Sequence, residues 1–386
     1  MNRSPTQEPV EGLSSSSGYT APLGHHVRER LNALAYATAT PTTALLELTK
    51  RCNLRCCHCY VAGGRAELST ERWVEVIGEL ADEGCMKVGL TGGEVALRDD
   101  FLEIGGAVKR QRMALTVMTN GTSFSEADIR ELAALKPILV AVSLYAASAE
   151  GHDRVTGNEG SFERSVRTLR RLRELGVTCR VACVLMGENL SEYQDVIALA
   201  KSMGCSYRFD PTVGPRADGD TAPLAHRVSA DLLTSFYLDE LVMGATREGR
   251  LALHPGPPSA GTAGGCSAGF TGLFVEATGA VWPCIGLRPS LGNVADRAFV
   301  EVWRGDVARS YRRAMSGLRE ECRGCELLPL CSAYCPRIAS SEDGNPLGKS
   351  ARACEMAAMV QHLRDTVQSR ITSREPPTPR TKERPS

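Results

Sequence analysis

The sequence of 386 residues has no excess charge: Lys+Arg and Asp+Glu number 45 each. That balance removes the bulk attraction that draws a protein to nucleic acid or to an anionic membrane. No apolar run in the sequence approaches the roughly 20 residues of a membrane span. The opening stretch, MNRSPTQEPVEGLSSSSGYT, is polar and lacks the apolar h-region of a secretory signal. A cytoplasmic, reducing location is therefore expected, with neither nucleic acid nor membrane as partner. Histidine is scarce, with seven scattered residues, whereas cysteine is plentiful at fifteen. In a reducing compartment such thiols are metal ligands rather than disulfides, and an odd number argues against a fully paired framework.

Apolar content of 42% and charged content of 23% are ordinary for a globular protein. The length suits one large α/β unit and a smaller module. Residues 1–25 and 371–386 read as polar, Pro- and Ser-rich tails. From residue 44 to 211, short apolar runs alternate with amphipathic stretches. The strand-like runs are ALLEL (44–48), MKVGL (86–90), ALTVM (114–118), ILVAVSL (138–144), TCRVACVL (178–185) and YRFD (207–210). STERWVEVIGELADEG opens with a Ser69/Thr70 cap and ends at Gly84. SFERSVRTLRRLRELG sets Val166, Leu169, Leu172 and Leu175 at helical spacing and ends at Gly176. Six strand–helix repeats imply right-handed crossovers around a parallel sheet, too few for a closed eight-stranded barrel. Residues 212–263 read as a helix over 229–247 and a breaker-dense linker, HPGPPSAGTAGG. The segment from 264 to 358 carries seven of the fifteen cysteines and reads as a second domain.

Four cysteines crowd into CNLRCCHCY. Cys52, Cys56 and Cys59 form C-x3-C-x2-C just after the first strand. Three thiolates leave a coordination position open, which suits a structural zinc poorly and a four-iron cluster well. Cys57 reads as a buried bystander that the cluster does not need. LTGGEV ends the second strand. Its glycines permit close backbone approach to a ligand, and Glu94 offers a carboxylate to an ammonium. TNGT ends the third strand and SLY the fourth. Each alone is a common turn, yet all share the carboxyl edge of one sheet, where ligands of such sheets sit.

C-x3-C-x2-C followed by G-G-E, at the ends of strands one and two, resembles the radical S-adenosylmethionine (radical SAM) superfamily. The resemblance covers about residues 44–211. It implies a partial (β/α)6 barrel with a [4Fe–4S] cluster on Cys52, Cys56 and Cys59. The open iron of that cluster would chelate S-adenosylmethionine. By position, Gly92, Gly93 and Glu94 would hold the methionyl amino group. Asn120 and Ser143 would lie near the methionine or ribose, and the backbone of His58 near the adenine. The implied chemistry is one-electron cleavage of the sulfonium to a 5′-deoxyadenosyl radical that abstracts hydrogen, within a site that orients substrate and excludes water.

The later cysteines resemble the SPASM domain, a small iron–sulfur module, over about 264–358. By that pattern Cys322, Cys325, Cys331 and Cys354 would hold one auxiliary [4Fe–4S] cluster and Cys266, Cys284 and Cys335 another, its fourth ligand unassigned. A zinc ribbon on the same thiols is the alternative. Cys85, Cys179, Cys183 and Cys205 read as core. His254 reads as structural, and His152 and Arg154 as loop braces. Asp210, Asp218 and Asp220, in DPTVGPRADGD, read as turn residues before a general base. Tyr145 stands where many peptide-modifying relatives carry Asp, which argues against a sulfatase-maturating role.

The resemblance implies an oxidoreductase of the peptide-maturase kind. Its substrate would be a ribosomally made peptide, and its reductant a flavodoxin or ferredoxin. With about 43 residues before strand one, leader recognition is expected from a separate protein or from the SPASM surface. A tetrapyrrole- or small-molecule-modifying enzyme, and a non-catalytic iron–sulfur or zinc scaffold, are the other readings.

Overall fold

The computed structural model describes residues 23–239, 266–315, 322, 324–327, 331, 339–340, 345 and 348–372. Most of both expected tails, the linker with His254, the 240–247 part of the expected helix, and Cys335 lie outside the described residues.

Helix α1 (Leu23–Ala37) precedes the first strand, a helix the sequence patterns do not announce. Six strands follow: β1 (Thr43–Glu47), β2 (Lys87–Thr91), β3 (Ala114–Thr119), β4 (Leu139–Ser143), β5 (Cys179–Val184) and β6 (Ser206–Asp210). Each lies within a residue or two of its expected position. They pair in parallel in the order β6-β5-β4-β3-β2-β1, each beside its predecessor. Between them run α2 (Thr70–Asp82), α3 (Phe101–Arg110), α4 (Glu126–Ala134), α5 (Ala149–Thr156), α6 (Ser161–Glu174) and α7 (Tyr193–Ser202).

The helices form because their apolar residues recur on one face and their ends are capped. In α2 that face is Trp73, Val76, Ile77 and Leu80, all buried. It packs in one core with Ala44, Leu46 and Leu48 from the outer face of β1. Ser69 Oγ accepts from Arg72 N at 3.2 Å, the expected N-cap. Gly84 and Gly176 take φ of 91° and 78°, left-handed values that stop the chain from coiling on. The α6 stripe buries Val166, Leu169 and Leu172. Leu175 is 39% exposed, because α6 ends at Glu174 and this residue becomes its C-cap.

The sheet does not stop at the linker. After α8 (Ala230–Leu238), strand β7 (Gly272–Val275) pairs in parallel with β1. β8 (Ala280–Trp282) and β9 (Gly292–Asn293) then extend the sheet antiparallel, making nine strands. An uncovered β1 edge would present a row of unpaired N–H and C=O groups, and β7 takes them up. The cysteine-rich segment is therefore continuous with the barrel sheet. Helices α9 (Phe299–Trp303) and α10 (Asp306–Met315) pack behind it. There Trp303 Nε1 donates to Ala39 O at 2.7 Å. The last helix, α11 (Ala351–Thr372), returns to the opposite side of the crescent. Its Met359, Val360 and Leu363 share a core with Leu233 and Phe236 of α8 and with Leu185 after β5. Among the described residues no helix is long and apolar enough to cross a membrane.

Candidate functional site

The three-cysteine loop leaves β1 and lies against the loop that leaves β2. Gly93 N donates to Thr49 O and Glu94 N to Arg51 O, both at 2.8 Å. A Cβ on Gly92 would stand 2.6 Å from Thr49 O, and one on Gly93 would stand 2.3 Å from Arg51 O. The two glycines are thus required by loop-on-loop packing, since the atoms a side chain would strike belong to the cysteine loop.

Glu94 differs from its expected part in the same way. Its carboxylate is fully buried. It accepts from Thr119 Oγ1 at 2.5 Å, Asn120 N at 2.6 Å and Ala96 N at 3.1 Å. Burial raises its pKa, and these donors oppose the rise. The side chain clasps the ends of β2 and β3 together.

Asn120 faces the cysteines. Its Nδ2 donates to Asn53 Oδ1 at 3.0 Å and lies 3.9 Å from Cys52 Sγ. Its Oδ1 accepts from Thr122 N and Thr122 Oγ1 at 2.8 and 2.6 Å. Asn53 completes the ring, donating to Thr122 Oγ1 at 2.7 Å. From the other side, the end of α5 holds the cysteine loop: Arg55 N donates to Thr156 O and Cys57 N to Val155 O.

Ser143, the last residue of β4, and Cys56 both lie beside the phenol of Tyr145. Tyr145 is buried and its ring meets His58 edge-on at 4.8 Å. Its backbone N–H donates to His152 Nδ1 at 3.1 Å, which makes His152 the brace expected of it. Arg154 makes only a loose pair with Glu150, at 3.8 Å on the surface. Burial lowers the pKa of both His58 and His152 to about 4, so both rings are neutral at neutral pH. His58 Nδ1 is buried with no hydrogen-bond partner among the described residues.

The thiols are shaped by burial and by one another. Desolvation, then Cys59, Cys52 and Cys57, push Cys56 up to about 12. Burial also raises Cys52 and Cys59. Thiols so placed stay protonated unless a positive centre takes their protons' place. That donor set fits an iron–sulfur cluster, which spreads its thiolates over several irons. Among the described residues no three His, Cys, Asp or Glu side chains gather tightly enough to chelate one metal ion. Cys57 Sγ lies 4.0 Å from Met186 Sδ. Met186, Tyr145, Val155 and Val213 form an apolar wall against Cys56 and Cys57.

The loop after β6 closes over this wall. Ala217 N donates to Tyr60 O at 2.9 Å. Asp210, Asp218 and Asp220 each accept from the backbone N–H two residues on, at 2.9, 3.1 and 2.9 Å. These are Asx turns, as the sequence suggests. Cys85, Cys179, Cys183 and Cys205 are buried in the core, also as expected. Of the later cysteines, Cys266 and Cys284 come together beside the Tyr311 phenol, whose pKa burial and both thiols raise. Cys325 N donates to Cys322 O at 3.3 Å, and Cys354 sits in the first turn of α11.

Two family models match. Residues 46–200 match the radical SAM superfamily, and residues 266–326 an iron–sulfur cluster-binding domain named SPASM. Mycofactocin maturase MftC of Mycobacterium ulcerans is 30% identical over 306 residues, spanning 74% of this chain and 82% of that protein. The chain belongs to the radical SAM superfamily. Its other relatives include the sporulation killing factor maturation protein SkfB of Bacillus subtilis, 26% identical over 81% of this chain and 73% of SkfB. The AdoMet-dependent heme synthase of Methanosarcina barkeri is 27% identical over 80% of this chain and 95% of that enzyme. Among solved structures, Streptococcus suis SuiB bound to its precursor peptide SuiA superposes with a TM-score of 0.64 at 16% identity. That match covers 89% of this chain and 84% of SuiB. The radical SAM fold accounts for the crescent of β1–β6, and the SPASM segment for the strands that extend it.

Asn53, Thr119 and Thr122 escape a motif reading. Asn53 lies inside the cysteine motif and Thr122 inside TNGT, so their positions were visible. Their partners are 69 residues apart, and only folding joins them.

Proposed function

We propose that this radical SAM enzyme matures a ribosomally made peptide. A single observation carries the assignment of its site. Three desolvated thiols, Cys52, Cys56 and Cys59, stand at the mouth of β1 against the Gly92–Glu94 backbone, walled by apolar side chains on one flank. Those thiols would hold the [4Fe–4S] cluster. With S-adenosylmethionine bound, the pair supplies a 5′-deoxyadenosyl radical that takes hydrogen from substrate. The chain's own residues bind and orient. The Gly92–Glu94 backbone would receive the methionyl amino group. Asn120 and Ser143 would flank the methionine and ribose, and His58 the adenine. The wall of Tyr145, Met186 and Val213 excludes water. Cys266, Cys284, Cys322, Cys325, Cys331, Cys335 and Cys354 would hold auxiliary clusters. The reductant would be a flavodoxin or ferredoxin, the leader-recognition element a separate protein or the SPASM surface, and the location cytoplasmic.

The peptide reading is supported by the names of MftC and SkfB, both maturation proteins, and by the peptide bound to SuiB. The heme synthase relative supports a tetrapyrrole substrate instead. A short peptide encoded beside the gene, altered in mass on co-expression, favours the first. Anaerobic reconstitution with iron and sulfide, followed by assay for 5′-deoxyadenosine, tests the site. Replacing Cys52, Cys56 and Cys59 together by Ala should abolish cleavage and leave auxiliary iron bound. No iron uptake and no cleavage by the wild type would return the reading to a scaffold.

A further inference from the structure

The two faces of the barrel sheet differ in kind. Toward the helices, β3, β4 and β5 present Val117, Val140, Val142, Val181 and Cys183, all buried in the main core. Alternate residues must point to the other, concave face. There the register sets Ser143, Ala182 and Arg208 in one row across β4, β5 and β6. The next row down holds Ala141 and Arg180. Arg180 and Arg208 are therefore diagonal neighbours on adjacent strands. Ala141 and Ala182 stand between them and Ser143.

Neither guanidinium has a hydrogen bond or ion pair among the described residues, and Asp210, two residues beyond Arg208 on the same face, spends its carboxylate on Thr212 N.

 Arg180 is half-buried and Arg208 exposed. Burial and the neighbouring Arg208 charge both lower the Arg180 pKa. Two like charges side by side on a sheet are unfavourable unless an anion lies between them.

We infer that Arg180 and Arg208 form a carboxylate-binding subsite on the concave face, which anchors an acidic group of the substrate beside the radical site. The inference rests on the peptide reading above and narrows its substrate class to peptides that carry a carboxylate near the reacting residue. Two strand spacings separate Arg208 from Ser143, about 10 Å. That is the reach of two or three peptide residues, so an anchored carboxylate leaves a neighbouring residue under the cofactor. Guanidinium forks suit this task because they bind carboxylate in a fixed plane. The carboxylate belongs either to an Asp or Glu side chain or to the peptide's C-terminus.

The test is a binding selection on the full-length, reconstituted protein. Two pools of random synthetic octapeptides, one with free C-termini and one amidated, are passed over the wild type, and retained peptides are sequenced by mass spectrometry. Acidic peptides should be retained at least about tenfold over neutral ones. Enrichment of Asp and Glu in the amidated pool identifies a side-chain anchor, and retention confined to the free-acid pool identifies a C-terminal one. The Arg180→Gln/Arg208→Gln variant should lose the preference, and Arg180→Lys/Arg208→Lys should keep part of it, with melting temperatures matched to the wild type. A wild type without acidic preference, or one that retains no peptide, overturns the inference. So does a Gln variant that keeps the preference. Binding is read without turnover, so a wild type that captures acidic peptides but does not cleave S-adenosylmethionine sinks the radical reading alone.

Discussion

Glu94→Gln separates two parts that one residue could play. In the fold, the Glu94 carboxylate accepts three protein donors, two of them at 2.5 and 2.6 Å, and is fully buried. The amide keeps the size and one acceptor oxygen. Its Nε2 donors would then face the Asn120 N–H, so a charge-assisted bond is lost and donors meet donors. Bonds to charged groups contribute about 1.5–3 kcal/mol, and a buried donor left unpaired costs about 1–3 kcal/mol. The overlap of the two puts the destabilisation at about 1.5–3 kcal/mol. Urea unfolding of the anaerobic apoprotein, followed by circular dichroism, should show that loss directly. Glu94→Ala should cost at least as much, since it also leaves a void between β2 and β3. The opposite result is informative. If Glu94→Gln unfolds with the wild type but no longer binds S-adenosylmethionine, the carboxylate is a ligand contact and the clasp is secondary.

Glu47 should make stability depend on pH. It ends β1 beside Glu276, and its Oε2 is buried without a hydrogen-bond partner among the described residues. Burial first, then the Glu276 charge, raise its pKa to about 7. The folded value exceeds the unfolded one, so its contribution is fully present below about pH 4.5 and is lost as pH rises through about 7, by at most about 3 kcal/mol. Glu47→Gln should therefore gain on the wild type between pH 5 and pH 8 in urea midpoints, and parallel curves would refute the shift. Cys57→Ser should keep its iron and cleave S-adenosylmethionine, because that thiol lies against Met186. A folded Cys57→Ser protein that loses cleavage would make Cys57 part of the site.

The alternating fold was legible because each element carries its own period. Trp73, Val76, Ile77 and Leu80 mark a helix face, and ALTVM and its counterparts mark buried strands. The cysteine motif was legible because its three thiols lie within eight residues. The partners of Glu94 are not legible because its donors, Thr119 and Asn120, sit at the end of another strand. The continuity of the SPASM segment with the barrel was hidden for the same reason. Nothing local in GLFV says that it pairs with β1, 229 residues away along the Thr42–Thr271 contact.

By itself, the sequence determined what short range can determine: the six repeats, their caps, and which thiols stand close enough to share a cluster. Only the tertiary structure decided which polar groups are already spent on one another. It gave Glu94 to the protein and the three aspartates to their turns. It left Arg180 and Arg208 on the concave face with no partner among the described residues. Whether a charge is satisfied depends on what lies across the fold, and that distance is not written along the chain.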